Sequence, residues 1–97
     1  MVAGLNDAPP ALKEARRRID EIDARLIALL AERFGVVEGV VRVKREAGIP
    51  ALLQDRVDEV LANVEALARR QGVPEGVATA LWRVLINETI AYEDSHL

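Results

Sequence analysis

The feature that most constrains the fold is a long proline-free segment after Pro10 and before Gly48, whose apolar residues follow three-four spacing. This spacing predicts one helix with a heptad-like apolar stripe along its length. Gly35 and Gly39 lie among β-branched valines and predict the weakest stretch of that helix. The stripe comprises Ile19, Ile22, Leu26, Leu29, Val36, Val40 and Val43.

Two further breaks divide the chain into three helical segments. Gly48 and Pro50 interrupt it in the middle, and Gly72 and Pro74 interrupt it again. Glycine suits the C-terminus of a helix and proline suits the first turn of the next. Because no period-two alternation persists, no sheet is expected. The sequence predicts a single all-α domain over residues 1–97, with residues 1–9 flexible and helices over about 10–47, 53–71 and 74–94.

The length of the first helix predicts an oligomer. At 1.5 Å per residue the helix would extend roughly 55 Å, whereas a compact chain of this size has a radius of gyration of about 13 Å. The helix therefore overhangs any globule that the other two helices form alone. Its apolar stripe needs a second protein surface, and another copy of the chain is the simplest supplier. We expect an obligate homodimer of interlaced three-helix protomers.

Composition excludes several functional classes. The chain has no cysteine and one histidine, so a cysteine-based zinc site, a histidine-ligated metal and a Ser-His-Asp triad are not expected. A formal net charge of -3 argues against a general nucleic-acid binder. No apolar run is long enough for a membrane span, and the start of the chain lacks a secretory signal pattern. A cytoplasmic protein without membrane or nucleic-acid partners is expected.

Three cations stand where the apolar face of the first helix should continue. Counting along the helix in steps of seven residues places Arg16, Arg33 and Lys44 on the same side as the apolar residues. A buried charge without a partner is costly, so each cation should meet an anion. Acidic residues of the same chain would serve, and so would a small dicarboxylate ligand, which suits the planar arginine fork. Glu93 leans toward the apolar face of the third helix, either as a salt-bridge partner or as a protonated acid.

The order and spacing of these apolar and charged residues resemble those of the all-helical chorismate mutases. Most of this pattern lies on the first helix, Lys44 and Arg56 follow at the family spacing, and a second match covers the third helix. The resemblance extends from about Leu12 to Glu93. The two matching stretches are Leu12-x-x-x-Arg16-x-x-Ile19-Asp20-x-Ile22-Asp23-x-x-Leu26-x-x-Leu29-Leu30-x-x-Arg33 and Trp82-x-x-x-Ile86-x-x-Thr89-Ile90-x-x-Glu93.

The resemblance implies a fold and a reaction. The family fold is a three-helix protomer interlaced into an all-α homodimer with shared active sites. Family members convert chorismate to prephenate, a pericyclic step of aromatic amino-acid biosynthesis that needs no metal and no cofactor. Such an enzyme helps by holding the reactive conformer and by stabilising charge on the breaking ether oxygen.

The resemblance also assigns roles to the cations. Arg33 and Arg16 would clamp the two substrate carboxylates, with Arg16 coming from the other protomer. Lys44 would reach a carboxylate and the ether oxygen. Arg56 would add positive potential from the start of the second helix.

Two residues of the third helix complete the implied site. Thr89 occupies a position where the family often has Ser, and its hydroxyl would meet a carboxylate. Glu93 occupies the position of a Gln or Glu that donates to the ether oxygen. A glutamate donates only when protonated. Burial favours the neutral form and a nearby Lys44 favours the charged one, so the sequence leaves the protonation state of Glu93 open.

Two apolar residues depart from the family pattern. Leu53 and Val57 stand where many mutases have acidic residues, one of which contacts the ring hydroxyl. The stretch 49–57 is more similar to that of isochorismate-pyruvate lyases, which give salicylate and pyruvate in the same fold. A mutase acting on 4-amino-4-deoxychorismate is a third candidate, and a noncatalytic helical dimer module is a fourth. We favour chorismate mutase.

Overall fold

A computed structural model describes residues 8–97, and the prediction of an all-α chain is confirmed. Helix α1 runs over Pro10–Ala47, α2 over Gln54–Gln71 and α3 over Val77–His96. No strand occurs within these described residues. Of the N-terminal segment predicted to be flexible, residues 1–7 lie outside the described residues.

Helix α1 has the predicted boundaries, and α2 begins one residue later than predicted. Proline is tolerated at Pro10 because the first turn of a helix leaves its N–H groups unpaired. After Ala47 the chain turns at Gly48, whose φ of 69° is unfavourable for other residues. Leu53 has extended backbone and precedes the first turn of α2 without a side-chain cap.

The connection between α2 and α3 depends on two glycines. Gly72 follows α2 with a φ of 75°, as the predicted C-terminal glycine requires, and its N–H donates to Arg69 C=O at 3.3 Å. The predicted start of α3 at Pro74 is wrong by three residues. Gly76 has a φ of 84°, so residues 74–76 form a turn and the helix begins at Val77.

The chain divides into two compact units at the position where the sequence predicts α1 to be weakest. One unit ends at Phe34 and the other is Gly35–Leu97. Helix α1 nevertheless continues through Gly35 and Gly39 without interruption. Organisation as one domain over residues 1–97 stays a prediction.

The unit Gly35–Leu97 has a small core that contains polar side chains. Helices α2 and α3 pack against each other. Two of the buried residues are polar, and both of these lie on α3. The buried residues are Val37, Val41, Ala51, Ile86, Thr89 and Glu93.

The apolar stripe of α1 is exposed in the single chain. Its members range from 38% exposed at Val40 to 66% exposed at Val36. Isolated exposed apolar residues are ordinary, but a continuous row of them marks an interaction surface. Among residues 8–97, no helix has the length and apolarity needed to cross a membrane.

We predict opposite effects of alanine at two glycines. Gly72→Ala should lower the free energy of unfolding by about 1–2 kcal/mol because the left-handed backbone penalises a Cβ. Gly35→Ala should raise it by about 0.5–1 kcal/mol because this glycine is within a helix. Within the single chain, an added Cβ meets no atom within 4 Å at either site. Urea unfolding checks both, and a Gly72→Ala protein as stable as wild type would contradict the turn assignment.

Candidate active site

Lys44 reaches into the protein from the last turn of α1. Its side chain is only 13% exposed. The ammonium donates a hydrogen bond to Ala51 C=O at 2.9 Å. Ala51 follows the turn at Gly48, which directs the chain back toward the helix. The ammonium nitrogen also lies 2.8 Å from Glu93 Oε1. One cation therefore joins α1, the following loop and α3.

Glu93 presents its carboxylate to this cation from α3. Its side chain is 8% exposed. Although Lys44 Nζ is close enough to form an ion pair, the direction of approach does not make a hydrogen bond, and Oε1 has no hydrogen-bond partner among the described residues. Buried polar atoms are normally satisfied. Here the carboxylate oxygen is held by the ion pair with Lys44 and by no aligned hydrogen bond.

Thr89 lies on the same side of α3 as Glu93. The two residues are four apart, a spacing that places side chains on one helix face, and Thr89 is buried. Its hydroxyl donates to Leu85 C=O at 2.7 Å.

The start of α2 places Arg56 in solvent. Arg56 is exposed and pairs with Glu59 on its own helix. The two apolar residues that depart from the family pattern nearby differ in burial, since Leu53 is exposed and Val57 is half-buried. Neither side chain can donate or accept a hydrogen bond.

The other two predicted arginines belong to the unit that ends at Phe34. Arg16 is exposed, whereas Arg33 is half-buried and engaged in an interaction. Arg17, the neighbour of Arg16, pairs with Glu14 at 2.6 Å in solvent, and its guanidinium lowers the pKa of the Glu14 carboxyl. Within the unit Gly35–Leu97, the structure thus brings Lys44 and Glu93 into contact, with Thr89 on the same face of α3.

Sequence reasoning misses the carbonyl of Ala51 as a partner of Lys44. The break around Gly48 and Pro50 indicates a turn there. The direction of a backbone carbonyl after the turn depends on torsion angles that residue types do not specify. Among residues 8–97, no group of three or more His, Cys, Asp or Glu is arranged to hold a metal ion.

Comparison with known proteins identifies the family. The family model for chorismate mutase type II matches residues 15–94, and the chain belongs to this family. The chain is 29% identical to a chorismate mutase of Methanocaldococcus jannaschii over 86 residues, covering 89% of this chain and 87% of the relative. It is 31% identical to the T-protein of Haemophilus influenzae over 84 residues, covering 87% of this chain but only 22% of that relative. No solved structure matches significantly.

We predict that Lys44→Met destabilises the fold far more than a matched change at an exposed pair. Removing one member of a buried ion pair leaves the other charge uncompensated, which costs about 3–5 kcal/mol. The control is Arg69→Met, which breaks the exposed Arg69–Glu65 pair and should cost little. Chemical denaturation at pH 7.5 compares the two.

Removing the stranded carboxylate as well provides a second check. Adding Glu93→Gln to Lys44→Met should recover part of the stability at pH 7.5. Equal losses for Lys44→Met and Arg69→Met would contradict the assignment of a buried pair.

Proposed function

We propose that this protein is a chorismate mutase that rearranges chorismate to prephenate in a cationic pocket, without a cofactor. Membership of the family supports the reaction class. The observation that carries the proposal is the buried contact between Lys44 and Glu93, in which Glu93 Oε1 lacks a hydrogen bond. Once protonated, this oxygen can donate a hydrogen bond to an acceptor atom of a bound ligand.

The chemistry of the rearrangement matches what these side chains can supply. One carbon–oxygen bond breaks while one carbon–carbon bond forms, with no nucleophile and no proton released. The protein must hold the reactive conformer and stabilise negative charge on the ether oxygen as the bond breaks. Lys44 donates to that oxygen or to a neighbouring carboxylate, and a protonated Glu93 donates to the same oxygen.

Binding of the two substrate carboxylates is assigned to the other polar residues of the proposed site. Arg33 clamps one carboxylate with paired N–H groups, and the partner subunit's Arg16 clamps the other. The Thr89 hydroxyl, whose proton is donated to Leu85 C=O in the single chain, turns that proton to one carboxylate when substrate binds. Arg56, which lies in solvent, contributes positive potential and does not need burial to do so.

The proposal includes an interlaced homodimer with shared active sites, each chain acting as one domain. It is supported by the exposed apolar stripe of α1, because burying a continuous apolar row against an identical helix removes it from water. Two exposed apolar residues of α3, Leu81 and Val84, provide further surface for the same purpose.

The second candidate is an isochorismate-pyruvate lyase. The apolar side chains of Leu53 and Val57 favour it, because neither can hydrogen-bond the ring hydroxyl that distinguishes chorismate-type substrates. The same two residues would suit a mutase for 4-amino-4-deoxychorismate. A noncatalytic dimer accounts for the buried Lys44–Glu93 pair only as a structural link between α1 and α3.

Product analysis distinguishes these candidates. The purified protein is incubated separately with chorismate, isochorismate and 4-amino-4-deoxychorismate, and products are identified by chromatography. We expect prephenate from chorismate. Salicylate and pyruvate from isochorismate, with little prephenate, would replace the mutase assignment by the lyase. A raised melting temperature with chorismate but no product would indicate a binding module.

We predict that mutase activity falls as pH rises, because Glu93 donates to the ether oxygen only in substrate complexes in which it holds its proton. Glu93→Gln should flatten the pH profile of kcat, since the amide donates at every pH. Glu65→Gln, at an exposed glutamate of α2, is the control and should leave the profile unchanged. A Glu93→Gln profile as steep as that of wild type would rule out this role for Glu93.

A shared site predicts complementation between inactive chains. Arg16→Ala and Lys44→Ala homodimers should each be inactive because every site lacks one cation. Mixed and refolded together, they form heterodimers in which one of the two sites has both residues, so activity should return in part. Native mass spectrometry confirms heterodimer formation, and heterodimers without activity would argue against a site built from two chains.

A further inference from the structure

We propose that Arg45 is a positioning residue, which holds the end of α3 so that the Glu93 carboxylate stays against Lys44. The proposal rests on the function proposed above for that pair. Its geometric part, the dependence of the Lys44–Glu93 contact on Arg45, can be tested without any substrate.

The observation is a hydrogen bond between the ends of two helices that are distant in sequence. Arg45 Nη2 donates to the backbone C=O of His96, 51 positions further along the chain. The last carbonyls of a helix have no partner within it, and a cation is favoured at this negative end of the helix dipole. Arg45, in the last turn of α1, thus caps α3.

Two contacts with α1 restrict the movement of α3 more than a single contact would. Lys44 and Arg45 are adjacent on α1, and their acceptors, Glu93 and His96, are three residues apart on α3. A single contact is a pivot about which a helix can rotate or slide. Two contacts almost one turn apart fix both the rotation of α3 and its position along its axis.

Backbone packing between α1 and α3 does not duplicate this constraint. Within the described residues, α2 and α3 approach closely along their backbones, whereas α1 and α3 have no comparable approach. The long side chains of Lys44 and Arg45 therefore span the separation between these two helices. We therefore expect their geometry to influence where Glu93 lies relative to the cation.

Local contacts connect His96 to the residue that precedes Glu93. Tyr92 C=O accepts a hydrogen bond from Ser95 Oγ at 2.9 Å and lies 2.7 Å from His96 Nδ1. The rings of Tyr92 and His96 also stack, with centroids 4.2 Å apart. Because Glu93 directly follows Tyr92, holding His96 in place holds Glu93 as well.

The proposal predicts a larger effect on turnover than on stability. Arg45 is exposed, and exposed polar contacts of this kind contribute little to the free energy of unfolding. Misplacing a group that acts in the transition state has a larger consequence, because a displacement of about 1 Å can reduce a rate about 100-fold.

The first experiment measures the coupling between Lys44 and Glu93 in unfolding, which needs no substrate. A double-mutant cycle with Lys44→Met and Glu93→Gln is performed on the full chain, first with Arg45 present and then in the Arg45→Met background. We expect Arg45→Met alone to shift the unfolding midpoint only slightly, while the coupling falls to roughly half or less. Arg42→Met, at an exposed arginine of the same helix, should leave the coupling unchanged. Undiminished coupling in Arg45→Met would overturn the proposal.

The second experiment measures the rearrangement of chorismate. Arg45→Met should lower kcat on the order of tenfold to 100-fold with a smaller change in KM, and Arg45→Lys, which retains a donor, should restore part of it. In a Glu93→Ala background Arg45→Met should have no further effect, since it acts through Glu93. An equal loss with and without Glu93 would overturn the positioning role. Absence of prephenate with wild type would instead refute the proposed function, and the coupling measurement would then decide alone.

Discussion

The ion pair of Lys44 and Glu93 is the polar contact that connects α1 to α3 in the interior of the unit Gly35–Leu97. Both side chains are taken out of water, which is expensive for charges, and their attraction offsets that cost only while they remain close together. The pair also holds the loop after α1, because the same ammonium donates its hydrogen bond to Ala51 C=O. A cation that serves two elements at once fixes them relative to each other.

In the unit Gly35–Leu97, the same polar pair contributes to the core and belongs to the proposed substrate site. The core combines four apolar residues with two polar ones, Thr89 and Glu93. Replacing a buried ion pair by apolar residues is often neutral or stabilising in proteins. Retaining the pair here, with one carboxylate oxygen lacking a hydrogen bond, is physically reasonable if a ligand completes it.

The helices are predictable from the sequence because their signals are local. The three-four spacing of apolar residues indicates α1 over its full length, and Gly72 marks the end of α2 through its left-handed backbone. The start of α3 differs from the prediction because proline is compatible both with a first helical turn and with the turn before it, and Gly76 decides between the two. The spacing of Lys44 and Glu93 from apolar residues of their own helices indicates that both side chains face inward. Their separation and the contacts of Arg45 depend on how helices distant in sequence meet, which local patterns do not specify.

If Lys44 and Glu93 together bind the reacting ether oxygen, a ligand that mimics the transition state must contact both. The decisive measurement uses protein labelled with ¹³C at the glutamate carboxyl carbons and titrated with a stable bicyclic ether dicarboxylate, since such analogues bind tightly where catalysis occurs. We expect the Glu93 carboxyl resonance to shift on binding while that of the exposed Glu65 does not, and Lys44→Met to weaken binding strongly. Tight binding of the analogue with an unchanged Glu93 resonance would show that Glu93 does not bind the reacting oxygen.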